Sequence, residues 1–474
     1  MGLEFRDAGI EARFESYVDA LGSVLGHADR MAPFGGYMTG LLLPIGRKSV
    51  EPMAARLAPA RTGAVHQSLL HFVGVSPWRD EAVMEAVREQ VLPALEGVEA
   101  WIIDDTSFPK KGKHSVGVAR QYCGQLGKQD NCQVAVSLSV ANARASLPVA
   151  WRLYLPKPWA VDDGLRRQAG IPDDVGFQTK PAIALDQLRD AVALDLPRGV
   201  VLADAGYGND SGFRSGITEL ELAYAVGIQG STTVWAPGTE PLAPKPWSGQ
   251  GRPPTRLRRG KGQAPVSVRT LAMELPEDAW VDVIWGEGSD APLRSRFARV
   301  RVRPAHRDKP WPEEWLLVEW PDGDKEPIKY WLSTVGAEMN LNEMVRITKL
   351  RWRIERDYRE LKQEVGLGHY EGRGWRGFHH HATLCIAAYG FLVAERLLFP
   401  PSGPIAKPWI KEPALPGGYR PRGAPDPHPK ARAVLHRDIE SSDRRRSRQE
   451  NATMPLLPAN NVGSAPDNGV FVTQ

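Results

Sequence analysis

Cysteine is scarce: Cys123, Cys132 and Cys385 are the only three in 474 residues, and no two form a CxxC pair. That excludes a disulfide framework and a zinc ribbon, and it fits a reducing cytoplasm. Long apolar runs are missing too. None reaches the roughly 18 residues of a membrane span, and the start MGLEFRDAGIEARF lacks the charged-then-apolar pattern of a signal peptide. Charge of one sign is not in excess. The net charge is +4, so a nucleic-acid partner has to be argued from local patches. No internal repeat is present.

What is there is the composition of a soluble globular protein, 42% hydrophobic and 24% charged, with room for roughly two to four domains. Residues 1–95 read as helical, with candidate helices at 11–29, 48–58, 64–73 and 79–95. They suit a helix-turn-helix-like DNA-binding head and a plain helical packing domain equally well. Residues 96–230 read as strands and helices in the order βββαβαβ. The strands are 97–104, 132–142, 146–156, 199–208 and 224–230, with helices at 181–195 and 212–223. That order predicts an α/β fold with a ribonuclease H-like mixed sheet. Residues 231–330 are rich in Pro, Gly and Trp and hold short alternating runs (VSVRTLAMEL, WVDVIWGE, SRFARVRVRP, EWLLVEW), a β-rich insertion. Residues 331–400 return to the core, through a strand at 329–335, a helix at 341–365 and a nearly apolar helix at 380–398. Residues 401–474 are Pro-, Gly- and Arg-rich without periodicity, a tail expected to be disordered.

The helix LNEMVRITKLRWRIERDYRELKQEV at 341–365 carries the first candidate chemistry. On a wheel of about 100° per residue, Glu355 shares a face with Arg351, Lys362 and Thr348, beside a stripe of Ile347, Leu350, Ile354, Leu361 and Val365. Alone, that is better explained by a surface ion-pair ladder. Two distant aspartates change the balance. Asp105 ends the first core strand and Asp204 ends a later one, and strand ends are where α/β sheets place their sites. Three converging carboxylates need a cation to neutralise them. An all-oxygen donor set suits Mg²⁺ or Mn²⁺, which can drive in-line phosphoryl displacement. Asp104 and Asp105 are neighbours on one strand, so only one can face the site. Arg351 and Lys362 become candidate phosphate ligands, joined by Lys110, Lys111 and Lys113 in a basic loop and by Arg353 and Arg373. Several features keep two readings. Arg299, Arg301 and Arg303 on one strand face are a wet surface or a phosphate track. Trp235 and Trp247 pack, or stack on an unpaired base. His379, His380 and His381 cannot share one ion on a helix, and a helix-start or phosphate contact is expected instead.

The segments WIIDDTSFPKKGKHSVGVARQYCGQLGKQDNCQVAVSLS, LADAGYGND and RWRIERDYRELKQEVGLGHYEGRGWRGFHHH resemble DDE-class insertion-sequence transposases, in particular the group with a Tyr-Arg-Glu-Lys signature and a β-rich insertion before the glutamate. The resemblance runs over roughly residues 30–400. It implies that Asp105, directly before Thr106-Ser107, forms a metal-binding catalytic triad with Asp204 and Glu355. Arg351 and Lys362 match the signature's Arg and Lys, while Thr348 stands where the family has Tyr. It further implies a ribonuclease H-like core, Mg²⁺ dependence, binding to terminal inverted repeats and target DNA, strand cleavage and transfer within a synaptic homodimer, and a bacterial, nucleoid-associated location in the cytoplasm. Two other functions stay open on the residues: a nuclease of the same fold without strand transfer, and a non-catalytic DNA-binding relative.

Overall fold

The computed structural model describes residues 9–287, 292–306 and 308–400. Five helices open the chain: α1 (Ile10–Gly22), α2 (Met31–Leu42), α3 (Val50–Leu57), α4 (Thr62–Gly74) and α5 (Asp80–Val91). The sequence reading lacked α2, whose Pro33, Gly35, Gly36 and Gly40 argue against a helix. Tertiary packing explains it: a side chain at Gly40 would run into Met53 of α3, so the glycine lets the two helices close together.

Next come β1 (Ala100–Pro109), β2 (Ala119–Cys123), β3 (Lys128–Ala141) and β4 (Ser146–Leu153), all antiparallel. Two short helices, α6 (Lys157–Val161) and α7 (Asp163–Ala169), lead to α8 (Lys180–Ala193). Then follow β5 (Val200–Ala203), α9 (Ala205–Gly208), α10 (Ser211–Glu219) and β6 (Tyr224–Ile228). β5 is parallel to both β1 and β6, so the sheet is mixed, as the βα order predicts. The basic loop holds a hairpin the sequence reading did not draw, because β2 pairs with the start of β3.

Beyond β6 lie β7 (Thr233–Trp235), β8 (Val266–Ser267), α11 (Val268–Met273), β9 (Trp280–Glu287), β10 (Pro292–Pro304), β11 (Glu314–Trp320) and β12 (Lys329–Ser333). The run at 266–275 was expected as a strand, yet most of it is α11, because the Ser267 hydroxyl accepts the Thr270 N–H and caps a helix there. The strands order as β2-β3-β1-β5-β6-β12-β11-β10-β7-β8, with β4 on β3 and β9 on β10. The strands of 231–330 therefore continue the main sheet through β12, which pairs with β6 as expected.

The expected single helix at 341–365 is two helices, α12 (Leu341–Lys349) and α13 (Trp352–Gln363), broken at Leu350–Arg351. The last helix, α14 (Trp375–Leu398), is long and apolar enough in composition to cross a membrane, yet it is a core helix here, packed on α2, α4, α5 and β4. Its three histidines are buried. His379 meets the Leu153 N–H and the Trp375 carbonyl, His380 the Val73 and Trp78 carbonyls, and His381 the Tyr37 hydroxyl and the Gly366 carbonyl. Burial pushes each down to about 4. They tie the N-terminal helices to the core. The expectation of a disordered tail at 401–474 lies outside the described residues.

Candidate active site

β1 is apolar on both faces at Ala100–Ile103 because both faces are covered. Ala100 and Ile102 pack with Leu202, Ile347, Leu350, Ile354 and Tyr358, under α12 and α13. Trp101 and Ile103 enter the core on the other face. The alternation carries on past Ile103. Asp104 falls on the α12–α13 face and Asp105 on the opposite one. β1 also runs beyond its expected end at Asp104-Asp105, through to Pro109, held by β3. Its β5 neighbour stops at Ala203, so both aspartates border an open edge.

Asp204 stands at that edge. Ile102 pairs with Leu202, so Asp204 is level with Asp104 two residues on. Its side chain accepts the Gly206 N–H at 2.9 Å and caps α9. Capping uses Oδ1 and does not exclude a second role. The short α9 sits directly on β6: a side chain at Gly208 would strike the Gly227 carbonyl, which explains a glycine at that place in LADAGYG.

Arg351 joins the carboxylates of the α12–α13 face. Nη1 donates to Asp104 Oδ2 at 2.9 Å and Nη2 to Glu355 Oε1 at 3.1 Å. Burial pushes the Asp104 carboxyl up to about 7 against the pull of Arg351, with the charges of Asp204 and Asp105 adding to the rise. Asp105 has different partners: its Oδ2 accepts from Lys180 Nζ at 3.0 Å and from Tyr207 Oη at 3.2 Å. The structure therefore divides the predicted triad. Asp204 and Glu355 share their face with Asp104 and Arg351, and Asp105 does not join them. The physical reason is the strand's two-residue period, whose phase could not be read where four consecutive apolar residues precede the aspartates.

The predicted cations also separate. Lys110 Nζ donates to the Tyr370 carbonyl at 2.9 Å, and burial holds it below the usual lysine range. Arg353 is 8% exposed, donates to the Ala143 carbonyl and is likewise held down by burial. Both act inside the fold and correct the expectation of DNA contacts. Lys362 reaches the Ser107 carbonyl at 2.8 Å and lies 4.9 Å from the Phe108 ring centre, so it anchors α13 to β1. Lys111, Lys113 and Arg373 are exposed, and the Val116 N–H on the Arg373 carbonyl (2.9 Å) ties the basic loop to residue 373. Arg299 and Arg301 lie 4.3 and 4.8 Å from the Trp315 ring centre. Trp235 is 4% exposed, hence packed, and Trp247 is 56% exposed. Tyr358 Oη bonds Ser137 Oγ at 2.8 Å, His369 Nδ1 accepts the Lys48 N–H at 3.0 Å, and Thr348 Oγ1 donates to the Met344 carbonyl at 2.7 Å. Lys180 and Tyr207 were missed. Tyr207 lies inside the quoted LADAGYG motif, but Lys180, at the start of α8, left no sequence signal.

Oxygen donors alone line the edge: Asp104, Asp105, Asp204 and Glu355. That donor chemistry fits a hard divalent cation. As placed, no three acidic, histidine or cysteine groups among the described residues stand close enough to share one ion. The guanidinium of Arg351 and the ammonium of Lys180 supply positive charge in this arrangement.

A family model described as DDE superfamily endonuclease matches residues 20–292, more than half of the chain. The chain belongs to the DDE superfamily endonucleases, a family that implies the ribonuclease H-like fold and, in general, divalent metal ions. It is also 35% identical over 165 residues to the probable transposase for insertion sequence element IS701 of Microchaete diplosiphon, covering 34% of this chain and 40% of that protein. The chain thus spans well under two thirds of that relative's length. The resemblance read from the three sequence segments holds at the level of the family.

Proposed function

We propose that this chain is a DNA transposase, acting at the terminal inverted repeats of an insertion sequence by strand cleavage and strand transfer. The observation that carries the reading is the gathering of Asp204, Glu355 and Arg351 at the open end of β5, beside the two β1 aspartates. Asp104, Asp204 and Glu355 are the proposed ligands, because the three share the α12–α13 face while Asp105 lies on the opposite one. A divalent ion, Mg²⁺ or Mn²⁺, when bound there supplies the Lewis acidity that activates a water or 3′-hydroxyl and steadies the leaving oxygen.

The chain's own residues do the rest. Lys180 and Tyr207 hold the Asp105 side chain on the face of β1 away from Glu355. Lys111, Lys113 and Arg373 form an exposed cationic rim that holds the DNA backbone. Strand transfer at two ends calls for a homodimer around target DNA, and that substrate puts the protein with the bacterial nucleoid in the cytoplasm.

One observation favours a second reading. Asp104 is engaged within the fold at both oxygens, by the Asp105 N–H and by Arg351, as it would be in a non-catalytic DNA-binding relative. The experiment uses a supercoiled plasmid carrying the gene with its own flanking DNA. The chain is expected to cut at the element ends in Mg²⁺ and to join them to a second plasmid, whereas D104N, D204N and E355Q bind the ends without cutting. Binding by the unsubstituted chain with no cutting in Mg²⁺ or Mn²⁺ establishes the second reading. Cutting without joining leaves a nuclease.

A further inference from the structure

We propose that Arg214 is a positioning residue, which fixes from behind the sheet the turn that carries Asp204 at the open edge. This rests on the phosphoryl-transfer reading of that edge. The short α9 follows Asp204 at once and is wound on it. The Asp204 carbonyl accepts the Tyr207 N–H at 3.2 Å and the Gly208 N–H at 2.8 Å, and its carboxylate accepts the Gly206 N–H. A helix of four residues does not hold itself. The Asp204 carboxylate is therefore aimed by whatever grips the other end of α9. That end is the Gly208 carbonyl, and it accepts from Nη1 of Arg214, in the first turn of α10.

Arg214 is buried where packing alone favours an apolar side chain. It is 5% exposed. Its guanidinium lies 5.2 Å from the Trp311 ring centre, and the Trp311 carbonyl is held in turn by Arg303. Tyr224 of β6 and Glu314 of β11, both fully buried, complete the surroundings. Tyr224 shares a face with Val226 and Glu314 with Leu316, all turned into the core away from α12 and α13. Burial raises the Glu314 carboxyl above its usual range, against the pull of Arg214 and of the Tyr224 hydroxyl. Placing a guanidinium so deep is costly. What it supplies is an arm that reaches six residues back to the carbonyl closing the Asp204 turn. Through Glu314 the β-rich segment at 231–330 joins that support.

The test uses the full chain. Mn²⁺ titration followed by electron paramagnetic resonance and cleavage of the gene-bearing plasmid are each set beside urea unfolding. R214K keeps a cation beside Glu314 and has no guanidinium arm for the Gly208 carbonyl. Its Mn²⁺ affinity and its cleavage should both fall by about 10–100-fold, the range for residues that support a metal ligand without touching the metal. R214M/E314L removes the buried pair together. It should unfold near the wild-type urea midpoint, since loss of both partners is close to neutral, and should show the same fall in Mn²⁺ affinity. It covers the case in which R214K does not fold. D204N, which lacks the ligand itself, should bind Mn²⁺ more weakly than either. Wild-type Mn²⁺ affinity in either folded variant overturns the positioning role, whatever its urea midpoint. In that case the unsubstituted chain still binds Mn²⁺ and cleaves. An unsubstituted chain that binds no Mn²⁺ and leaves the plasmid intact removes the phosphoryl-transfer reading, and the positioning role with it.

Discussion

Replacing Lys349 by Met should destabilise the protein far more than the loss of a surface ion pair. Lys349 Nζ lies 2.7 Å from both Glu319 oxygens and 3.9, 5.4 and 5.6 Å from the ring centres of Trp285, Phe297 and Trp331. The side chains of Lys349 and Glu319 are 11% and 4% exposed. Burial draws the ammonium down to about 8, against the pull of the Glu319 carboxylate, so Lys349 still carries its charge at neutral pH. Methionine fills a similar volume, so the change removes the charge and leaves Glu319 buried with Ser295 as its remaining donor, at 3.0 Å. Breaking a buried pair in this way costs about 3–5 kcal/mol. The double variant K349M/E319L removes both charges and should recover most of that loss, since an apolar replacement of a buried pair is close to neutral. Urea unfolding followed by tryptophan fluorescence at pH 7 measures both. A K349M loss below about 1 kcal/mol, the size for an exposed pair, or a double variant no better than K349M, would show that the aromatic box does not exclude water as described.

Three further outcomes follow from the geometry. K111A, K113A and R373A should each weaken DNA binding and reduce the slope of log affinity against log salt by about 0.9 for each phosphate the side chain neutralises, whereas K110A and R353A should lower thermal stability and leave that slope unchanged; fluorescence anisotropy over a salt series separates the two groups. Burial raises Asp357 to about 6, with Ser146 and Tyr389 pulling the other way. A carboxyl raised on folding contributes stability that is complete below its unfolded value and lost as pH rises through about 6, a span of about 3 kcal/mol; D357N should remove that slope between pH 4 and 6, and a wild-type-to-variant difference that is flat with pH would refute the burial argument. Y358F should cost about 1 kcal/mol in urea unfolding, the worth of one buried hydrogen bond, with Ser137 left unpaired.

The mixed sheet, the β-rich run before the glutamate helix and the three motif segments were legible in the sequence, because alternation, β-branched runs and strand-end acids are local signals. What was not legible depends on partners distant in sequence. Leu350 and Arg351 carry ordinary helix propensity, and the break there accompanies the pull of Asp104 on the guanidinium. Lys110 and Arg353 look like DNA ligands by charge alone. Only the Tyr370 and Ala143 carbonyls, hundreds of residues away, reveal them as internal. The phase of β1 was hidden because Ala100–Ile103 is buried on both faces. Helix α2 was hidden by its glycines, of which Gly40 is the one that the packing of Met53 requires.

The central claim is that Glu355 is a reacting-edge carboxylate and no mere ion-pair partner of Arg351. The most direct measurement is cleavage of the gene-bearing plasmid by E355Q in Mg²⁺, with end binding followed in parallel. Uncut plasmid and retained binding are expected. Cleavage by E355Q at the wild-type rate would contradict it.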